Sequence, residues 1–168
     1  MTAIRDHIRS LQRFAAGMGA RLVLTTLPEG IHGRVTVNVI AVSPGLSPQE
    51  ELCALVHEIA HWLVHRDVWA VFTCTVFEYE AEAVEAVVME RLGFSPRLEL
   101  AEFGCDDPTD GLTVASVRRV RWAADRITEA LRSDSKAPVD VEAAAGEEVV
   151  LEYEEHRVRD FLGLTQAL

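Results

Sequence analysis

Three side chains able to bind a metal or move a proton lie within five residues: His57, Glu58 and His61, in the order His-Glu-x-x-His. If the stretch is helical, residues four apart sit one above the other on one face. Both imidazoles then reach one small ion, with Glu58 beside them. Zinc takes neutral imidazole well, and a catalytic zinc site uses three protein ligands and keeps a fourth position for water. The glutamate takes the proton from that water. The competing reading is a pair of core histidines satisfied by backbone groups. Two buried imidazoles and a buried carboxylate without partners would be costly, so a third ligand elsewhere in the chain favours the metal.

A third ligand is offered by Glu78-Tyr79-Glu80-Ala81-Glu82. A zincin with such a helix often takes a glutamate from the next helix. Glu78 and Glu82 are four apart and share a face. Glu78 is the expected ligand, with Glu82 as a supporting group or alternative ligand. Glu80 points about 200° away from Glu78. A solvated place at an acidic helix start is expected for it. His65, one turn beyond His61, is expected to be a satisfied helix-end histidine rather than a ligand. Cys53, one turn before His57, reads as a small buried thiol.

The elements that must carry these groups are legible. Ser47-Pro48-Gln49-Glu50 is a capping box with proline at the first helical position. Leu52, Leu55, Val56, Ile59, Ala60, Leu63 and Val64 follow at helical spacing, so the motif helix is buried on most sides. A second helical run carries Ala81, Ala83, Val84, Val87, Val88 and Leu92, with Gly93 as its C-cap.

With both helices in view, His57-Glu58-Ile59-Ala60-His61-Trp62-Leu63-Val64-His65 and Glu78-Tyr79-Glu80-Ala81-Glu82-Ala83-Val84 resemble the ImmA/IrrE family of metallopeptidases. The resemblance is closest to the peptidase domain of ArdC-type antirestriction proteins. It runs from near Gly33 to near Leu131, roughly 100 residues. It implies zinc ligands at His57, His61 and Glu78, and Glu58 as the catalytic base. The sequence departs from the family at Glu82, where many members have asparagine, and at Glu85, where they have alanine. The second departure puts a charge on a usually apolar helix face.

The rest of the chain supplies the frame. Residues 2–17 form an amphipathic helix with Ile4, Ile8, Leu11, Phe14 and Ala15 on one side. Residues 21–27 and 33–42 read as two strands joined through a turn at Pro28-Glu29-Gly30. They are expected to form an antiparallel hairpin or sheet edge covered by the motif helix. The resemblance implies that such an edge binds substrate as an added strand. His32 is expected to be an exposed loop residue. Residues 68–76 are apolar and β-branched, a short strand or packed loop, and Trp62 and Trp69 either wall the cleft or pack in the core. Asp106, Asp107 and Asp110 lack the spacing of a calcium loop. Residues 113–132 form a helix with a stripe of Val114, Val117, Val120, Ala124, Ile127 and Leu131, its arginines decorating other faces.

A chain of 168 residues with net charge −11 points to one domain with a real core. The negative charge opposes phosphate-backbone binding, so no nucleic-acid partner is expected. No apolar run approaches the roughly 20 residues of a membrane span. The first residues do not read as a signal peptide, and Cys53, Cys74 and Cys105 lack C-x-x-C spacing. A cytoplasmic protein without disulfides is expected. Residues 134–168 carry nine acids against three bases. They read as an acidic linker and C-terminal tail, with a short helix over 147–164 that restrains the site or binds a partner; His156 there is a remote candidate metal cap.

These readings converge on an α+β, zincin-like fold: a mainly helical domain over 1–133 with a small antiparallel sheet or hairpin packed on the His-Glu-x-x-His helix. The expected activity is zinc-dependent hydrolysis of a peptide bond in a cytoplasmic protein such as a regulator or repressor, with Glu58 activating the water. The alternative is a non-catalytic zinc-binding interaction or antirestriction module of the same fold.

Overall fold

The structure is a computed structural model and describes residues 2–36, 38–66, 75–95 and 114–132. Of the stretch 68–76 read as a strand or packed loop, Thr75 and Val76 are instead helical, and residues 68–74, with Trp69, Cys74 and Cys105, the aspartates at 106–110 and the tail at 134–168, lie outside the described residues.

The chain is α+β and mostly helical, with four helices and one three-stranded sheet among the described residues. The first helix, α1, spans Thr2–Gly17. It buries Ile8, Leu11 and Ala15 as its periodicity requires. It closes in a Schellman motif: Gly19 N–H donates to Ala16 C=O and Ala20 N–H to Ala15 C=O. Gly19 sits at φ +87, where a side chain would be strained.

The sheet differs from the expected hairpin. Strand β1 is Arg21–Leu24, β2 is Gly33–Val35 and β3 is Val39–Val42. Their order is β1-β3-β2, with β1 parallel and β2 antiparallel to β3. The long second strand therefore breaks and reverses. Thr36 N–H donates to Val39 C=O across the reversal, and Asn38 C=O accepts from Arg21 N–H. Asn38 is a turn-former that interrupts the valine run. Folding 33–42 on itself puts β3 in the centre, where Ile40 and Val42 are fully enclosed.

The motif helix, α2, spans Pro48–His65. Its capping box forms as read: Glu50 N–H donates to Ser47 Oγ, and Ser47 N–H donates to Glu50 Oε2 at 2.7 Å. The next helix, α3, spans Thr75–Arg91 and the last, α4, Val114–Arg132. α2 is the hub, packed against α1, α3, α4, β2 and β3. An uninterrupted run from Leu52 to Trp62 is accordingly buried. Trp62 packs in this core with the Arg66 guanidinium over its ring, 4.9 Å from the centroid. α3 ends in a second Schellman motif through Gly93 and Phe94. Arg91 ties its last turn to Asp125 at 2.9 Å and to Thr128 Oγ1 at 3.1 Å on α4.

The expected stripe of α4 is corrected. Val114 and Val117 are 74% and 56% exposed, and the inward face is Ser116, Val120, Ala123, Ala124, Ile127 and Thr128. The helix is turned so that its first turns present Ser116 and Arg119 to a buried carboxylate on α3. His32 is likewise half-buried rather than exposed. No helix among the described residues is long and apolar enough to cross a membrane.

Candidate metal centre

α2 and α3 run side by side, and their facing side chains form the site. The i, i+4 spacing on α2 stacks His57 over His61, ring centroids 4.8 Å apart. From α3, Glu78 reaches between them. His61 Nε2 lies 3.0 Å from His57 Nε2, and Glu78 Oε2 lies 3.3 Å from each. Ligands about 2.0–2.1 Å from a tetrahedral zinc stand about 3.3 Å from one another. The three atoms therefore already have the mutual spacing of three corners of such a site. His57, His61 and Glu78 are the group able to hold a metal ion among the described residues. Glu82 and Cys53 are not part of it, and Cys53 is buried in the core.

The site is closed on the protein side and open at Glu78. His57, Glu58 and His61 are buried, whereas the Glu78 side chain is 42% exposed. The electrostatics follow from this crowding. Burial opposes charge on His57, but the carboxylates of Glu78, Glu85 and Glu58 outweigh it and lift the imidazole to about 10. Burial also pushes Glu78 up, but His57 and His61 hold its carboxyl far below the usual range. A divalent cation would replace the proton shared by this set.

Glu58 is held against the sheet. A Cβ built on Gly33 would lie 2.7 Å from both Cγ and Oε1 of Glu58. Only a glycine in β2 leaves that space, so the β2 backbone and the Glu58 carboxylate meet directly. In the sequence the signal for this contact is Gly33 at the first position of a strand otherwise rich in valine.

Behind the site, one expectation fails. Glu80 is not solvated: it is fully buried and paired with Arg119, whose Nε donates to Oε2 at 3.0 Å and whose Nη2 donates to Oε1. What the sequence did not reveal is that α4 covers the face of α3 that carries Glu80. His65 is, as expected, the last residue of α2, with both ring nitrogens partnered, and it is not part of the metal group. It is 1% exposed, stacked on Phe77 with centroids 4.3 Å apart. Its Nε2 is 3.1 Å from Glu80 Oε2, and its Nδ1 is 3.1 Å from His61 Nδ1. Burial pulls the His65 imidazole below its ordinary value despite the Glu80 hydrogen bond. Burial pushes Glu80 up, but hydrogen bonds from Arg119, Ser116 and His65 outweigh it and hold the carboxyl low. Glu85 is buried and directs Oε2 at His57 Nδ1, 3.6 Å away. Nothing in the sequence singled out Arg119 among the arginines of α4.

Comparison of the chain with protein-family models, with characterised proteins and with solved structures gave no match.

Proposed function

We propose that this protein is a zinc-dependent metallopeptidase with a zincin-like, ImmA/IrrE-type site, hydrolysing a peptide bond in a specific cytoplasmic protein such as a regulator or repressor. The observation that carries the reading is the convergence of His57 Nε2, His61 Nε2 and Glu78 Oε2 at 3.0–3.3 Å with Glu58 held alongside. Two imidazoles and one carboxylate are the donor set of a hydrolytic zinc site, and zinc there would supply Lewis acidity to water and to a peptide carbonyl.

The chain's own residues have separate roles. His57, His61 and Glu78 would hold the ion. Glu58 would accept a proton from the attacking water and return it to the leaving amine. Its packing against Gly33 fixes the carboxylate on the strand side of the site. Among the described residues β2 is an edge strand, paired with β3 on one side, and an extended peptide could add on the other. That would bring a peptide backbone next to Glu58. A protein substrate fits this edge better than a small molecule does.

A second reading is a non-catalytic zinc module. It is supported by the deep burial of Glu58, only 6% exposed. Replacing Glu58 with glutamine separates the two, because zinc is kept in both and cleavage is lost only in the first. The first experiment is metal analysis by mass spectrometry of protein purified without chelator, wild type and His57→Ala. About one zinc per chain, lost in the variant, is expected. A wild type that takes up no zinc after addition would refute the peptidase.

A further inference from the structure

We propose that Glu80 and Arg119 are positioning residues of the metal centre, acting through His65 to set which ring nitrogen of His61 faces the cation with a free lone pair. The inference rests on the metal-binding reading of His57, His61 and Glu78 and extends it to a helix that supplies no ligand.

The hydrogen placement follows from donors and acceptors alone. Arg119 has only donors, so both Glu80 oxygens accept from it. Glu80 is thereby kept as a carboxylate that accepts only. The 3.1 Å contact from His65 Nε2 to Glu80 Oε2 then needs its hydrogen on His65 Nε2. A cation on the Nε2 side of His61, where His57 and Glu78 converge, leaves the one hydrogen of that neutral ring on Nδ1. This hydrogen must point along the 3.1 Å contact to His65 Nδ1. The contact is satisfied only when His65 Nδ1 is bare, which is the neutral tautomer that Glu80 selects. The chain Arg119, Glu80, His65, His61 thus has one consistent set of hydrogens, and that set leaves the lone pair of His61 Nε2 in the site.

The packing makes this arrangement rigid. His65 is clamped between Phe77 and His61, and Glu80 is fully enclosed. Arg119 is anchored a second time by donating from Nη2 to Ser116 Oγ at 3.3 Å. The turned face of α4, with Val117 outside and Ser116 inside, is what brings the guanidinium to Glu80. His57 has its own buried carboxylate, Glu85, on its far nitrogen. Both metal-facing imidazoles therefore have an acid behind them, Glu85 at 3.6 Å from His57 Nδ1 and Glu80 reaching His61 through one relay residue.

The test uses the full chain labelled with nitrogen-15 in histidine and loaded with zinc. Ring-nitrogen shifts should report His61 with hydrogen on Nδ1 and His65 with hydrogen on Nε2. Arg119→Met should weaken zinc binding, read by competition with a chromophoric chelator, by about 10- to 100-fold. It should also shift His65 away from a single tautomer, which a loss of stability alone would not do. Arg119→Lys should recover most of the affinity, and Arg118→Met, a change at an exposed neighbouring arginine, should alter neither readout. Wild-type His65 carrying its hydrogen on Nδ1, or on both nitrogens, would overturn the proposal without any variant. So would folded Arg119→Met protein with unchanged affinity and tautomers. Wild type that binds no zinc would instead remove the metal centre itself, and the proposal with it.

Discussion

Glu78 and Glu80 are the same residue type, two positions apart on one helix, and they have opposite fates. Glu78 faces α2, is partly open to solvent, and its hydrogen-bond partners among the described residues are imidazole nitrogens that a metal could replace. Glu80 faces α4, is sealed from solvent, and has both oxygens occupied by a guanidinium. Among the described residues, the carboxylate placed to hold a cation is the one without a guanidinium partner. The difference lies in what packs opposite, since both belong to one acidic stretch, Glu78 in the first turn of α3 and Glu80 just beyond it.

The largest effect should separate these two carboxylates. Glu78→Ala is expected to abolish zinc uptake and all hydrolysis while the fold persists. Glu80→Ala should retain weakened zinc binding and lose stability instead, by about 1–3 kcal/mol for the partners left buried. Metal analysis paired with urea unfolding tells them apart; the same profile for both variants would erase the distinction. Next comes Glu58→Gln, which leaves the ligands intact and should lower the cleavage rate by about 10²- to 10⁴-fold at unchanged zinc content. Undiminished cleavage would show that Glu58 is not the base.

A smaller loss is expected on the sheet side. Gly33→Ala puts a methyl 2.7 Å from Glu58 Cγ and must displace that side chain. Cleavage should fall by up to about 100-fold, since small misplacements of a reacting group have effects of this size. Zinc stoichiometry should not change, and an equal fall in both would mean that the substitution damaged the fold.

The mildest contrast is in pH. The His57 imidazole is raised from 6.5 to about 10, so in the metal-free protein it holds a proton that the cation must displace. Zinc affinity should rise with pH by about tenfold per unit up to about 10, with about one proton released on binding. The metal-free fold should run the other way. A raised imidazole contributes stability that is fully present below 6.5 and lost as pH rises through about 10. Calorimetry in buffers of different ionisation enthalpy measures the proton, and pH-independent zinc affinity would contradict the assignment.

The sequence by itself determined the parts of this protein whose physics is local. Ser47, Pro48 and Glu50 start α2 because a capping box closes within four residues. Gly93 ends α3 because only glycine takes the left-handed turn easily. His57 and His61 share a face because the helix repeats every 3.6 residues. Glu78 was reachable from the same periodicity once the next helix was read. The tertiary structure decided whatever depends on which element lies opposite. It broke the strand predicted over 33–42 at Asn38 and set β1 parallel to β3. It turned α4 so that Ser116 faces inward, the half-exposed Arg119 reaches Glu80, and Val114 and Val117 face out. It converted Glu80 from an expected solvated acid into a buried anchor, and brought Gly33 against Glu58. Periodicity fixes the direction in which a side chain leaves its own helix; burial and pairing depend on the surface it meets, and that surface comes from residues distant in the chain.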